Sequence, residues 1–300
     1  VQKGEVRLGF TEEKSHTVID IHTCPVLEPA LMEVLPALLR QIASMKKPSL
    51  ISAVHLTALD AGLDMILQPR TPLSNTDKTA WRQWAEMRHI VRLAEQTEVH
   101  PPHILHDTEQ ACVMFADVSV ALPVGAFLQA SHAGEAALVE KILQGLHGCT
   151  HVADLYAGCG TYSFPLARNG MRVAAFEGSQ EMIAAAHNAA LAHGLDTYLS
   201  ATVRDLFTHP LHASELVSYD SIVINPPRNG ALPQVQEIAK SAVPTVVYVS
   251  CNPATFARDA GHLLAHGYRM THITGIDQFT WSRHLELVAV FARMQTAMPA

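Results

Sequence analysis

From about residue 150 onward, short apolar β-branched runs alternate with helical stretches, and few folds accept that pattern. Residues 152–156, 172–177, 200–203, 221–224 and 245–250 read as strands, and 268–274 and 285–291 supply two more. SIVI at 221–224 and TVVYV at 245–249 are apolar throughout, which fits strands buried on both faces. Helices are predicted between them. One begins at 164–168. One runs from an N-cap at Ser179 to His193 and ends at Gly194. One covers 254–265 and ends at Gly267. Strands separated by helices predict an α/β fold: a mostly parallel, seven-stranded sheet with helices on both faces.

The first 125 residues are less regular. Residues 28–43 have helical spacing, with Leu31, Val34, Leu35, Leu38 and Leu39 on one face. Residues 51–59 and 63–67 read as paired strands, 80–94 as a second helix, 111–121 as strand-like, and 1–10 as a strand. This predicts a smaller N-terminal α+β domain over 1–125. A second domain over 126–300 is entered by a helix ending at Gly145. Val1 rather than Met opens the chain, so the natural protein is expected to begin upstream.

Composition narrows the class. Hydrophobic residues make up 48% and charged residues 16%, enough for a large core. There is no apolar run long enough to span a membrane and no secretory signal, so a cytoplasmic protein without a membrane partner is expected. The net charge of −7 is spread evenly over the two domains, so neither is a basic module. Any affinity for nucleic acid has to come from local patches or from a segment outside this chain. The five cysteines are scattered without a CxxC pair, and the 18 histidines form no ligand-spaced cluster, so no metal site is expected. A monomer is expected.

The segment DLYAGCGT at 154–161 closes the first strand of the second domain with a GxG turn, where a backbone can approach a ligand closely. It lacks the third glycine of the dinucleotide fingerprint. The next strand ends in Glu177, placed to accept ribose hydroxyls, and the third leads to Asp205, placed to accept an adenine amine. Acids at three successive strand ends, with Asp154 the first, disfavour a pyrophosphate. They point to S-adenosylmethionine. Cys251, in YVSCNPATF, stands where the fifth strand hands over to a helix. It is either a reactive thiol near a helix N-terminus or a buried strand-end residue. Asn225-Pro226-Pro227-Arg228 makes a stiff exit from the fourth strand and offers a carboxamide. Glu286 opens the last strand beside apolar residues, a setting that raises a carboxyl pKa and suits a general base.

These segments together resemble the RNA uracil-5-methyltransferase family, in its transfer-RNA and large-ribosomal-RNA branches. DLYAGCGTYSFPLA at 154–167, VINPPRNG at 223–230, VYVSCNPATFARD at 247–259 and HLELVA from His284 carry the resemblance, and Phe127-Leu128-Gln129 is similar to that family's Phe-x-Gln. The resemblance implies a Rossmann-like class I methyltransferase fold, S-adenosylmethionine as cofactor and RNA as partner. It also implies cofactor contacts at Gln129, Tyr156, Thr161, Glu177, Asp205 and Asn225, with Cys251 as nucleophile and Glu286 as base. The implied reaction is methylation of uridine carbon 5 in rRNA or tRNA, through a covalent bond from Cys251 to C6 of a base taken out of its stack. Two positions depart from the pattern: Asn225 replaces the usual Asp, and Ser131 the usual Asn. The N-terminal RNA-binding barrel and the four-cysteine iron–sulfur cluster of some members are not seen in this chain. Two other readings compete. An amino-group methyltransferase would use Asn-Pro-Pro, but favours an aromatic residue where Arg228 stands. A non-catalytic RNA-binding factor would not need Cys251 and Glu286.

Overall fold

The computed structural model describes residues 5–12, 15, 17–109, 111–279 and 284–294. The chain divides into two compact units, Val1–Val113 and Met114–Ala300.

The first unit begins with a short antiparallel pair, β1 (Gly9–Thr11) and β2 (Val18–Asp20), followed by helix α1 (Pro29–Ser44). The expected strand over 1–10 is therefore confined to its end, and residues 1–4 lie outside the described residues. Strands β3 (Ile51–Leu59) and β4 (Gly62–Pro69) form an antiparallel hairpin, as their pattern predicted. Helix α2 covers Asn75–Glu86 and starts at Ser74, whose hydroxyl accepts from the Asp77 amide at 3.1 Å. The helix expected over 80–94 is wrong in its second half. The backbone turns at His89 with φ +54°, and β5 (Ile90–Thr97) runs parallel to β4. The reason is burial: β5 is an inner strand of the sheet β3-β4-β5-β6, with β6 (His100–Asp107) on its other side. Its charged residues are buried with partners. Arg92 grips Asp64 through two bonds of 3.0 and 2.6 Å, and Glu95 pairs with Lys78. A strand carrying buried ion pairs does not show an apolar run.

The second unit includes β8 (Val118–Ala121), which follows β7 (Cys112–Phe115) at the division and packs on the later helix α5. Helix α3 (His132–Gly145) leads into β9 (His151–Leu155), α4 (Ser163–Arg168), β10 (Arg172–Glu177) and α5 (Gln180–Ala192). Then come β11 (Leu199–Val203), α6 (Ala213–Leu216), β12 (Ser221–Ile224), α7 (Leu232–Lys240), β13 (Thr245–Ser250), α8 (Pro253–Ala265), β14 (Tyr268–Ile276) and β15 (Glu286–Arg293). The seven-stranded sheet has the order β11-β10-β9-β12-β13-β15-β14, parallel except for β15, which is antiparallel to both neighbours. This is the predicted fold.

Side-chain alternation places the helices. Ile222, Ile224, Val246 and Tyr248 pack with Val235 and Ile238 of α7 and with Phe256 and Leu263 of α8. Val247 faces the other way, toward α3: a Cβ on Gly145 would come within 3.0 Å of Val247 and 2.8 Å of Val290. Glycine thus lets α3 lie close on the sheet. The order reverses between β9 and β12, so the loops after these strands open the crevice where such sheets take ligands.

Candidate active site

The predicted site residues gather along one edge of this sheet. Tyr156 follows β9, Glu177 ends β10, Asp205 follows β11, Asn225 follows β12 and Cys251 follows β13. Glu286, the first residue of antiparallel β15, starts from the same edge.

The turn after β9 is tightly coiled: Tyr156, Gly158 and Gly160 have φ of +62°, +58° and +104°. A tyrosine rarely adopts this conformation, and such strain gathers at functional sites. Glu177 closes the turn, accepting from the Gly158 and Ser179 amides at 3.1 Å each. Ser179 in turn caps α5 by accepting from the Met182 amide at 3.3 Å. Thr161 lies half-buried just after the glycines. Next to it, the Tyr162 hydroxyl is buried and receives the Gln129 amide at 3.1 Å, and the Gln129 oxygen receives Gln278 at 3.1 Å. Burial, followed by the charges of Glu286, Asp154 and Glu135, holds the Tyr162 hydroxyl well above its ordinary pKa. Gln129, the turn and Glu286 thus share one electrostatic neighbourhood.

Three side chains are placed differently from a simple row of acids. Asp205 is exposed and turns into its own loop, accepting from the Phe207 amide at 3.0 Å and the Thr208 hydroxyl at 2.7 Å. These bonds hold its pKa below the usual carboxylate value. Ser131 caps α3, accepting from the Gly134 amide at 3.1 Å. Asp154 is fully buried. One oxygen takes the Ser163 hydroxyl at 2.6 Å and the other has no partner. Burial lifts this carboxyl to about 7, with the Glu177 charge adding to the rise. Tyr162, Ser163 and Gln278 were not singled out in the sequence. The first two adjoin the GxG turn and could have been suspected from that. Gln278 carries no such signal.

The loop after β12 and the start of α8 interlock. The Asn225 backbone amide donates to the Leu155 carbonyl at 3.2 Å, tying the loop to the end of β9 and the turn that follows it. The Arg228 carbonyl receives the Asn252 side chain at 3.0 Å and the Thr255 hydroxyl at 3.1 Å. Asn252 also caps α8, accepting from the Ala254 amide at 3.0 Å. Cys251, half-buried, lies between this cap and the last residue of β13. The β13–β15 ladder ends with Ser250 opposite Leu287. Cys251 directly follows Ser250 and Glu286 directly precedes Leu287, so both residues lie at this end of the ladder. Burial raises the Glu286 pKa, and the nearby Arg228 charge partly offsets the rise.

The turn fits S-adenosylmethionine. Segment 154–163 carries no Lys or Arg, and the Glu177 oxygens keep lone pairs for hydroxyl donors. The buried Tyr156 hydroxyl has no partner. A Cβ on Gly158 would meet nothing nearer than the Met182 sulfur at 3.9 Å, so space is open above it.

The sequence pattern described as tRNA (uracil-5-)-methyltransferase matches residues 122–294, well over half of the chain. The chain belongs to the tRNA (uracil-5-)-methyltransferase family. It is 39% identical to an RNA methyltransferase of Caulobacter vibrioides over 97% of this chain and 70% of that one. It is 30% identical to the 23S rRNA (uracil(1939)-C(5))-methyltransferase of Shewanella amazonensis, over 97% of this chain and 66% of that one. The Pyrococcus abyssi tRNA (uracil-54, C5)-methyltransferase, solved with S-adenosyl-L-homocysteine, superposes with a TM-score of 0.73. Its identity is 22%, covering 93% of this chain and 70% of that one. The Methanocaldococcus jannaschii tRNA m1G37 methyltransferase superposes at 0.58 with 10% identity, over 89% and 79%. These structures show that this member of the uracil-5-methyltransferase family has the methyltransferase fold.

Proposed function

We propose that this protein transfers a methyl group from S-adenosylmethionine to carbon 5 of a uridine in ribosomal or transfer RNA, with Cys251 as nucleophile and Glu286 as base. The observation that supports this reading is that Cys251 directly follows β13 and Glu286 opens β15, the strand paired with β13, so both lie at the same edge of the sheet. Gln129, Tyr156, Thr161, Glu177, Asp205 and Asn225 would hold the cofactor. Glu177 suits the ribose, and Asp205, on the neighbouring loop, the adenine amine. When bound, S-adenosylmethionine supplies an electrophilic methyl to carbon 5.

The residues of the chain do the rest. The Cys251 thiolate adds to C6 of a uracil taken out of its stack, forming a C6–S bond and moving electron density to C5 and the O4 carbonyl. After methylation, Glu286 removes the C5 proton, the electron pair re-forms the C5–C6 double bond, and the sulfur leaves C6. A half-buried carboxylate with a raised pKa is a stronger base than an exposed one. The prolines at 226 and 227 stiffen the loop that offers Asn225 to the base edge.

Tritiated-methyl transfer to total tRNA and rRNA, followed by nucleoside analysis of the product, tests the reading. The expected product is 5-methyluridine. An N-methylated base would favour the amino-group alternative, and no transfer the non-catalytic one. Cys251→Ala is expected to abolish transfer while S-adenosylhomocysteine still binds. Near-normal methylation by that variant would exclude the covalent step. Glu286→Gln is expected to accumulate a protein–RNA adduct, seen as a shifted band on a denaturing gel. Absence of the band counts against Glu286 as the base.

A further inference from the structure

One fully buried carboxylate lies behind the nucleophile and has no part in that chemistry. Asp259 is on α8, and its relative exposure is 0%. Its Oδ2 accepts from the Ala231 amide and the Tyr248 hydroxyl, each at 2.7 Å, and its Oδ1 accepts from the Arg258 guanidinium at 2.8 Å. Arg258 donates onward to the Asn229 carbonyl at 3.0 Å. Asp259 therefore holds the turn 229–231 at both ends, directly and through Arg258.

The turn closes down on this carboxylate because Gly230, at φ +73°, has no side chain. A Cβ there would come within 2.5 Å of Arg258 and 2.6 Å of Asp259. Just before the turn, the Arg228 carbonyl is the shared acceptor of Asn252 and Thr255, which both follow Cys251 in sequence. The Arg228 charge also reaches Glu286. The chain of contacts runs from Asp259 through the turn to Arg228, and from Arg228 to Asn252 and Thr255 on the segment that follows Cys251.

We infer that Asp259 is a positioning residue for Cys251: it fixes the turn 229–231, and with it the Arg228 carbonyl on which Asn252 and Thr255 are anchored. This rests on the reading of Cys251 as nucleophile. A buried carboxylate whose partners are a backbone amide, a strand tyrosine and a guanidinium that reaches a backbone carbonyl is suited to hold a loop in one place. Small displacements of a reacting group from its productive geometry cost up to about a hundredfold in rate.

The test compares wild type, Asp259→Ala, Asp259→Asn and Thr255→Val, with two rates and one affinity. The first rate is covalent trapping on tRNA and 23S rRNA containing 5-fluorouridine, whose C5 fluorine blocks release. The second is peptide-resolved iodoacetamide alkylation of Cys251, with buried Cys159 as control. The affinity is for S-adenosylhomocysteine. In Asp259→Ala, trapping is expected to fall by about a hundredfold, with affinity unchanged, Cys251 alkylating faster and Cys159 remaining protected. Asp259→Asn keeps an oxygen for Ala231 and Tyr248 and is expected to recover most of the trapping. If Asp259→Ala does not fold, Thr255→Val carries the test. It removes one anchor on Arg228 and is expected to slow trapping by about tenfold. Trapping and alkylation at wild-type rates in the folded variants overturn the inference. If wild type forms no adduct while Cys251 alkylation still responds to these substitutions, the positioning role stands and the nucleophile reading falls.

Discussion

The ends of β9 and β13 treat a buried aspartate in opposite ways. Behind β13, Asp259 has a partner for each oxygen and three donors in all. At β9, Asp154 is equally buried, yet it has one hydroxyl donor and one bare oxygen. A buried charge is tolerated when paired and hydrogen-bonded, and is otherwise neutralised by taking up a proton. Accordingly the Asp154 carboxyl rises from 3.8 to about 7. The Asp259 region is a finished brace. The Asp154 region, beside the turn proposed to hold the cofactor, leaves one carboxylate oxygen bare.

The contrast breaks if removing either charge has the same effect on stability, and the largest effect is expected at Asp154. Between pH 4 and 7 the folded protein keeps the Asp154 proton and the unfolded chain does not. Stability from this group is therefore full below pH 4 and is lost as pH rises through 7. A rise from 3.8 to about 7 corresponds to roughly 4 kcal/mol. Asp154→Asn is expected to stabilise the protein by that order above pH 7 and to change little below pH 4, read from urea unfolding at both ends of the range. Asp259→Ala is expected to act in the opposite direction, lowering stability by about 3 kcal/mol through two buried donors left unpaired, those of Ala231 and Tyr248. Tyr248→Phe sharpens the contrast. It removes one of three donors to Asp259 and is expected to cost about 1 kcal/mol by the same unfolding measurement.

The same contrast explains what could be read from the sequence. The parallel strands were legible because SIVI and TVVYV are buried on both faces and carry no charge. The cap at Ser179 and the stops at Gly194 and Gly267 followed from local chemistry, and the two glycines have φ of +65° and +88°. Strand β5 was not legible. Arg92 and Glu95 look like surface residues until Asp64 and Lys78 are seen to meet them from β4 and α2. Strand β6, written HPPHILHD, is five-eighths prolines and histidines and has no strand signature. At the site, Cys251 and Asn225 could be placed because they end strands. Asp259 could not be singled out, since one acid on a helix reads as solvated surface. Its partners lie 28 residues back, at Ala231, and 11 residues back, at Tyr248.

The antiparallel placement of β15 limits how such a protein can change over time. Its pairing with β13 runs without interruption from Thr245 opposite Ala292 to Ser250 opposite Leu287. The irregularity in this part of the sheet is displaced outward, to the β14–β15 ladder between Met270 and His272. A slip of one residue would turn every side chain of β15, Glu286 included, to the opposite face of the sheet. The outer strand can absorb a bulge. An insertion or deletion within β15 itself would shift Glu286 relative to β13 in a single step. Length variation among descendants is therefore expected to accumulate on the hairpin side and to spare the strand that keeps the count.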